Sequence, residues 1–433
     1  MRSGGRSRTI VTQTGPMSSP ARVRAAVAAL VLTGAAACTP GGAQPTGTAA
    51  TPGTIPATSS SASTSPSSSA GTSPSTSTSA DLPSDLPSDL PSGAPQGAAV
   101  DLADELPLPW SIAAAPDDGP AAVGGWFVSL RDEARVVHVA DDGQTAAIST
   151  TQDDGTVPAT TPGGEGGLLG IEVLAEGDQT WLYAYQTVTI SGRTQNQVVR
   201  MPLTGDEPGA LALGDPEPLV TGIPGAGYHN GGRLAFGPDQ MLYISTGDAG
   251  DTALSQDPDS LGGKILRVST TGEPAPGNPV QGSPVWSTGH RNVQGMGWDA
   301  QGRMFASEFG QNTFDELNLI EPGANYGWPV IEGSGGDPRY RDPLVTWAPS
   351  EASPSGVAVT ADAVYLASLR GERLWRVPLV EGPAVVGPPQ AYLQGEHGRL
   401  RDVIVQDGDL LLLTNNTGRS PEPGDRVLRV SLR

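Results

Sequence analysis

Apolar residues in this chain gather into short runs that recur along its last three quarters. The first of each pair reads WFVSL at Trp126, WLYAY at Trp181, MLYIS at Met241, MFASE at Met304, VYLAS at Val364 and LLLLT at Leu410. After a turn or loop, each is answered by a second run that ends near a basic residue: ARVVHVA, NQVVRMPL, GKILRVS, DELNLIE, RLWRVPL and DRVLRVSL. Short runs rich in β-branched and aromatic residues, bounded by Gly, Pro and Asp, predict strands. The unit recurs about every 45 to 65 residues, a period that predicts a repeat architecture. Six hairpins completed to four-stranded antiparallel blades around a channel predict an all-β, six-bladed β-propeller, which hides its sheet edges by radial repetition. A pair of β-sandwiches or an irregular all-β domain is the competing arrangement. Long helix-period segments are absent, and 58 Gly and 41 Pro disfavour them.

Composition changes sharply near residue 100. From Thr39 the chain is Thr, Pro, Gly, Ser and Ala with almost no large apolar residue. Such a stretch buries too little surface to offset its ordering entropy, so residues 39–100 are expected to be a disordered linker. Upstream, Arg22 and Arg24 precede an uncharged apolar run from Ala25 to Ala37, and the single cysteine, Cys38, follows. Basic, apolar and small residues in that order predict a secretory signal over residues 1–38. A cysteine directly after small residues resembles a bacterial lipoprotein signal, with Ala35 where Leu or Val is usual. A plain signal peptide cleaved nearby is the alternative, and Met17 offers a second start. The chain is thus expected to be exported, either tethered to the outer face of the cytoplasmic membrane by a lipid on Cys38 or secreted. That leaves residues 101–433 as the propeller. One cysteine permits no internal disulfide, and a formal charge of −21 argues against nucleic acid as partner.

In a propeller, function gathers where loops from several blades meet the channel. The segment GYHNGGRLAFGPDQMLYISTGDAG puts His229 before one strand and Asp248 after the next. A hairpin returns its far end to its start, so both belong on one rim. A carboxylate beside an imidazole fixes its tautomer and raises its basicity, as a general base requires; a purely structural pair is the other reading.

The motifs HRNVQG at His290, SEFGQNTFDELNLI at Ser307 and NYGWP at Asn325 follow in order. Together they resemble the soluble quinoprotein glucose dehydrogenase and aldose sugar dehydrogenase family, from GGEGGLLG around Glu165 to RLRDVIV at Arg399. The resemblance implies oxidation of an aldose, or a related polyhydroxy aldehyde or hemiacetal, to a lactone or acid. Its cofactors would be pyrroloquinoline quinone and calcium, and its electron acceptor a membrane quinone or redox protein. His229 would be the base, Asp248 its orienting partner, and Arg291 a donor to the quinone oxygen. Glu165, Asn292, Gln294, Arg370, Arg399 and Arg401 would contact cofactor or substrate. Arginines two apart on an extended segment face the same way, which suits a grip on carboxylates. The carbonyls of Gly310 and Gln311 would hold one calcium, and Asp315, Glu316 and the carbonyl of Tyr326 a second. Where the family commonly has Lys, Pro and Gln, this chain has Arg370, Gln311 and Glu165, and the loop AGDTALSQD after Asp248 lacks the Gln of the glucose-oxidising members. Selectivity for glucose is therefore not implied. A non-catalytic cell-surface sugar-binding propeller and a calcium-dependent lactone hydrolase are the competing functions.

Overall fold

The computed structural model describes residues 90–382, 385–417 and 424–433. The expected signal segment, and the linker up to residue 89, lie outside them. Every described residue belongs to one compact unit, Ser77–Arg433. It consists of six antiparallel sheets, five of four strands and one with a fifth, and among the described residues the only helical elements are two 3-10 turns. This is a six-bladed β-propeller.

The recurring apolar pairs are the second and third strands of each blade. Trp126–Leu130 pairs with Arg135–Val139, for example, and Ala363–Ser368 with Arg373–Pro378. These strands are covered on both faces by neighbouring blades, so they are apolar at nearly every position instead of alternating. The innermost strands are Pro109–Ala114, Leu168–Glu176, Leu234–Phe236, Val293–Trp298, Pro354–Val359 and Leu400–Gln406, in blades one to six. Each touches the innermost strand on either side, and Leu400–Gln406 touches Pro109–Ala114, which closes the ring. The core is divided likewise. Six apolar clusters each lie between two adjacent blades, as where Phe127 and Val136 of blade one meet Leu182 and Met201 of blade two.

The outermost strand of blade six is Pro95–Ala103, paired with Val427–Leu432. The propeller therefore begins at Pro95, inside the stretch expected to be linker. The Pro, Gly and Ala of Pro95–Val100 hide a strand whose side chains are mostly exposed, so its sequence needs no apolar alternation.

The channel is pinned by polar groups. Arg233, just before the innermost strand of blade three, donates to Asp402 Oδ2 at 2.6 Å and Ser111 Oγ at 3.0 Å, and its Nε donates to the Gln294 carbonyl at 2.9 Å. One buried guanidinium thus links blades six, one and four from blade three. Its central carbon lies 4.5 Å from the centre of the Trp110 ring.

Candidate active site

In an antiparallel blade, the start of the first strand and the end of the second share one rim. Glu165, His229, Arg291, Asn292 and Arg399 all enter innermost strands, whereas Arg131, Asp248, Gly310, Arg370 and Asn415 leave second strands. These positions meet around two adjoining cavities. The larger, about 440 Å³, is lined by Arg131, Gln294, Arg399, Arg401, Trp110 and Asn415, among others. The smaller, about 250 Å³, is lined by His229, Arg291, Arg370, Gly310, Gln311 and Asp315, among others. Glu165, Phe309, Leu369 and Arg399 border both. The larger alone falls in the range of small-molecule sites.

His229 Nδ1 lies 2.8 Å from Asp248 Oδ1. The backbone of His229 sits in the left-handed region at φ 56°, and its amide donates to Glu165 Oε2 at 3.0 Å, so the residue that carries the ring is held from two sides. Asp248 is fully buried and also accepts from the Gly250 amide at 2.8 Å and Trp328 Nε1 at 2.9 Å. Burial alone would raise its carboxyl, but the hydrogen bonds from His229, Gly250 and Trp328 outweigh it and hold the group below the usual range. An ionised Asp248 accepts a hydrogen bond from Nδ1–H and leaves Nε2 as the basic nitrogen.

Arg291 Nη1 donates to the Phe309 carbonyl at 3.1 Å, and its guanidinium lies 5.5 Å from the ring of Trp328. Trp328 therefore touches both Asp248 and Arg291. Asn292 Oδ1 accepts from the Gly231 amide at 2.9 Å and ties the Arg291 segment to the His229 loop. Gln294 Oε1 accepts from Arg401 Nη1 at 2.8 Å, and Arg401 Nη2 donates to Asn415 Oδ1 at 3.2 Å. Burial, then the charges of Arg131 and Arg399, push the Arg401 guanidinium down to about 9. Arg291 is lowered too, chiefly by burial.

Guanidinium groups outnumber carboxylates on the walls. Five guanidinium groups, those of Arg131, Arg291, Arg370, Arg399 and Arg401, border the two cavities. Buried Arg291 Nε, Asn292 Nδ2 and Arg401 Nε have no partner among the described residues. Buried donors are normally satisfied. This set fits a planar ligand bearing several carboxylates, gripped by forked guanidinium groups from more than one side. A concentrated positive field inside a chain of charge −21 also draws anions inward.

The expected metal residues divide. Gly310, Gln311 and Asp315 border the His229 cavity, but the Asp315 carboxylate is engaged by the amides of Gly310 at 2.9 Å and Ser353 at 2.6 Å. Glu316 follows it in the strand Asp315–Ile320, so its side chain points to the opposite face. There it accepts from the Gly333 amide at 2.8 Å and from Asn318 Nδ2 at 3.0 Å, beside Glu308 and Tyr326 and across the loop from the His229 cavity. Burial and the Glu308 charge push its carboxyl up to about 7. Strand alternation thus parts the Asp315 and Glu316 carboxylates, and of the two it is Glu316 that stands beside Tyr326. Among the described residues no three His, Cys, Asp or Glu side chains gather into a metal-binding group. The carbonyls of Gly310 and Gln311 form a different kind of donor set.

Sequence reasoning missed Arg131, Trp110, Trp328 and Asn415. The signal for Arg131 and Asn415 was available, since each directly follows a second strand, as Asp248 and Arg370 nearly do. Trp328 lay within a recognised motif but had no assigned role.

Comparison with known proteins extends these observations. Residues 106–421 match the family model described as glucose / sorbosone dehydrogenase. The chain is similar to the aldose sugar dehydrogenase of Escherichia coli, at 30% identity over 53% of this chain and 61% of that protein. Quinoprotein glucose dehydrogenase B of Acinetobacter calcoaceticus matches at 35% identity over 30% of this chain and 31% of its own length. These alignments span 31% and 61% of the two curated relatives' own lengths. Among solved structures, the PQQ-bound aldose sugar dehydrogenase of Streptomyces coelicolor superposes with a TM-score of 0.70 at 47% identity, covering 78% of this chain and all of that one. A glucose dehydrogenase-like oxidoreductase of Thermus thermophilus superposes with a TM-score of 0.67 at 40% identity, over 77% of this chain and 99% of its own. With the family match spanning almost the whole propeller, this chain belongs to the glucose / sorbosone dehydrogenase family.

Proposed function

We propose that this chain is a quinoprotein dehydrogenase that oxidises an aldose, or a related polyhydroxy aldehyde or hemiacetal, at its anomeric carbon. The carrying observation is the 2.8 Å His229–Asp248 pair at the edge of an arginine-walled double cavity. Pyrroloquinoline quinone, when bound, supplies the two-electron oxidant that accepts hydride from that carbon. Arg131, Arg399 and Arg401 would grip its carboxylates, with Arg291 and Asn292 donating from the opposite wall. His229 Nε2 takes the proton of the anomeric hydroxyl, and Asp248 stabilises the imidazolium that forms. Arg291 offers a fixed positive charge where negative charge develops, without reorganisation at the moment of reaction.

Calcium would be held by the carbonyls of Gly310 and Gln311, a hard-oxygen set of the kind this ion takes, and would polarise the bound quinone. Glu165 places a carboxylate between cofactor and substrate sides, so glucose itself need not be preferred. Electrons would leave to a membrane quinone or a soluble redox protein, consistent with an exported chain tethered through Cys38 or secreted.

Arg401→Leu tests the cofactor assignment. It removes one charge-assisted grip, each of which contributes about 1.5–3 kcal/mol, so affinity for pyrroloquinoline quinone should fall by roughly 10- to 100-fold in a fluorescence titration. Affinity equal to wild type, in a folded variant, would place the quinone elsewhere.

A further inference from the structure

We propose that Glu332, outside the expected ligand set, is a positioning residue that turns the carbonyls of Gly310 and Gln311 into the His229 cavity and so sets the affinity for calcium. The inference rests on the calcium reading above. Its basis is one carboxylate oxygen. Glu332 Oε1 accepts from four successive amides: Gln311 at 2.7 Å, Asn312 at 3.1 Å, Thr313 at 3.0 Å and Phe314 at 3.2 Å. Successive amides wrapped on an anion form a nest, and here the protein fills the nest with its own side chain.

A trans peptide points its N–H and the preceding C=O in opposite directions. With the amides of Gln311 and Asn312 directed at Glu332, the carbonyls of Gly310 and Gln311 must face away from it. Glu332 stands with Glu308 and Glu316 around a small neighbouring pocket, which Gly310 and Arg291 also border, whereas the cavity that holds His229 is bordered by Gly310 and Gln311 but not by Glu332. Neither carbonyl accepts a backbone hydrogen bond from another described residue. Two acceptors are thereby turned toward the cavity by a group that never touches it.

The loop is closed tightly on its anchor. A Cβ on Gly310 would come within 1.6 Å of the Phe314 carbonyl oxygen and 2.8 Å of Glu332 Oε1, so only glycine fits there. Asp315 holds the other end through the Gly310 amide at 2.9 Å. Without Glu332, four amides face a cradle with no acceptor, and the peptide planes lose their common orientation.

The test measures how much pyrroloquinoline quinone the apoprotein retains after desalting, at free calcium levels set by a chelator, and its quinone affinity with calcium removed. In Glu332→Ala the calcium midpoint should rise by about 10- to 100-fold, as losses of groups that orient metal ligands commonly do. The calcium-free quinone affinity should stay at the wild-type value, whereas general damage to the site would lower both. Glu332→Gln keeps an acceptor but drops the charge, and should shift the midpoint by about threefold; it carries the test if the alanine variant does not fold. A calcium-dependent wild type whose midpoint is unchanged in the variants would overturn the role of Glu332 alone. A wild type that ignores calcium would overturn the calcium reading and this role with it.

Discussion

Replacing His229 by alanine should leave a folded protein that still retains pyrroloquinoline quinone but turns over about 10²- to 10⁴-fold more slowly, the contribution of a positioned general base. The imidazole lies at the edge of the cavities, and its main tie is to Asp248, so its loss empties little core. The guanidinium groups that would grip the cofactor are untouched. Asp248→Asn should also lower kcat, because an amide in place of the carboxylate can neither stabilise an imidazolium nor enforce the Nδ1–H tautomer. Steady-state dye reduction alongside quinone retention separates the two effects. Turnover within about threefold of wild type in His229→Ala would remove His229 from the chemistry, since a base of this kind contributes far more.

The second large effect is on stability. Asp402→Ala should cost about 3–5 kcal/mol, because it leaves the Arg233 guanidinium buried without its counter-ion. Both side chains are almost wholly buried, at 7% and 3% exposure, so solvent cannot take over the interaction. The Ile112 amide would lose its acceptor as well, 3.1 Å from Asp402 Oδ2. Because Arg233 also holds the Gln294 carbonyl, and Gln294 accepts from Arg401, the damage should reach the cofactor pocket. Urea denaturation of the apoprotein measures the first effect and quinone titration the second. A loss below about 1 kcal/mol would mean that the pair only offsets its own desolvation, as buried ion pairs can.

The second and third strands could be read in the sequence because both their faces are buried, which turns them into runs such as WFVSL and VYLAS. First and fourth strands carry weaker signals for physical reasons. Leu234–Phe236 has three residues, Pro354–Val359 includes Pro, Ser and Gly, and the exposed edge Thr145–Ala147 needs no apolar residue at all. Pro95–Val100 was assigned to the linker on the same ground. His229 and Asp248 were placed together by hairpin geometry alone, which holds whatever the chemistry. The split between the Asp315 and Glu316 side chains is equally legible from strand alternation. Glu332 had no sequence signal, since its four partners are backbone amides, which any residue type could supply.

The most direct test of the central claim is reconstitution. Apoprotein mixed with calcium and pyrroloquinoline quinone, then passed through gel filtration, should carry quinone absorbance with the protein peak and reduce a dye when given aldoses. A protein peak without that absorbance, together with no dye reduction for any aldose or aldehyde offered, would contradict it.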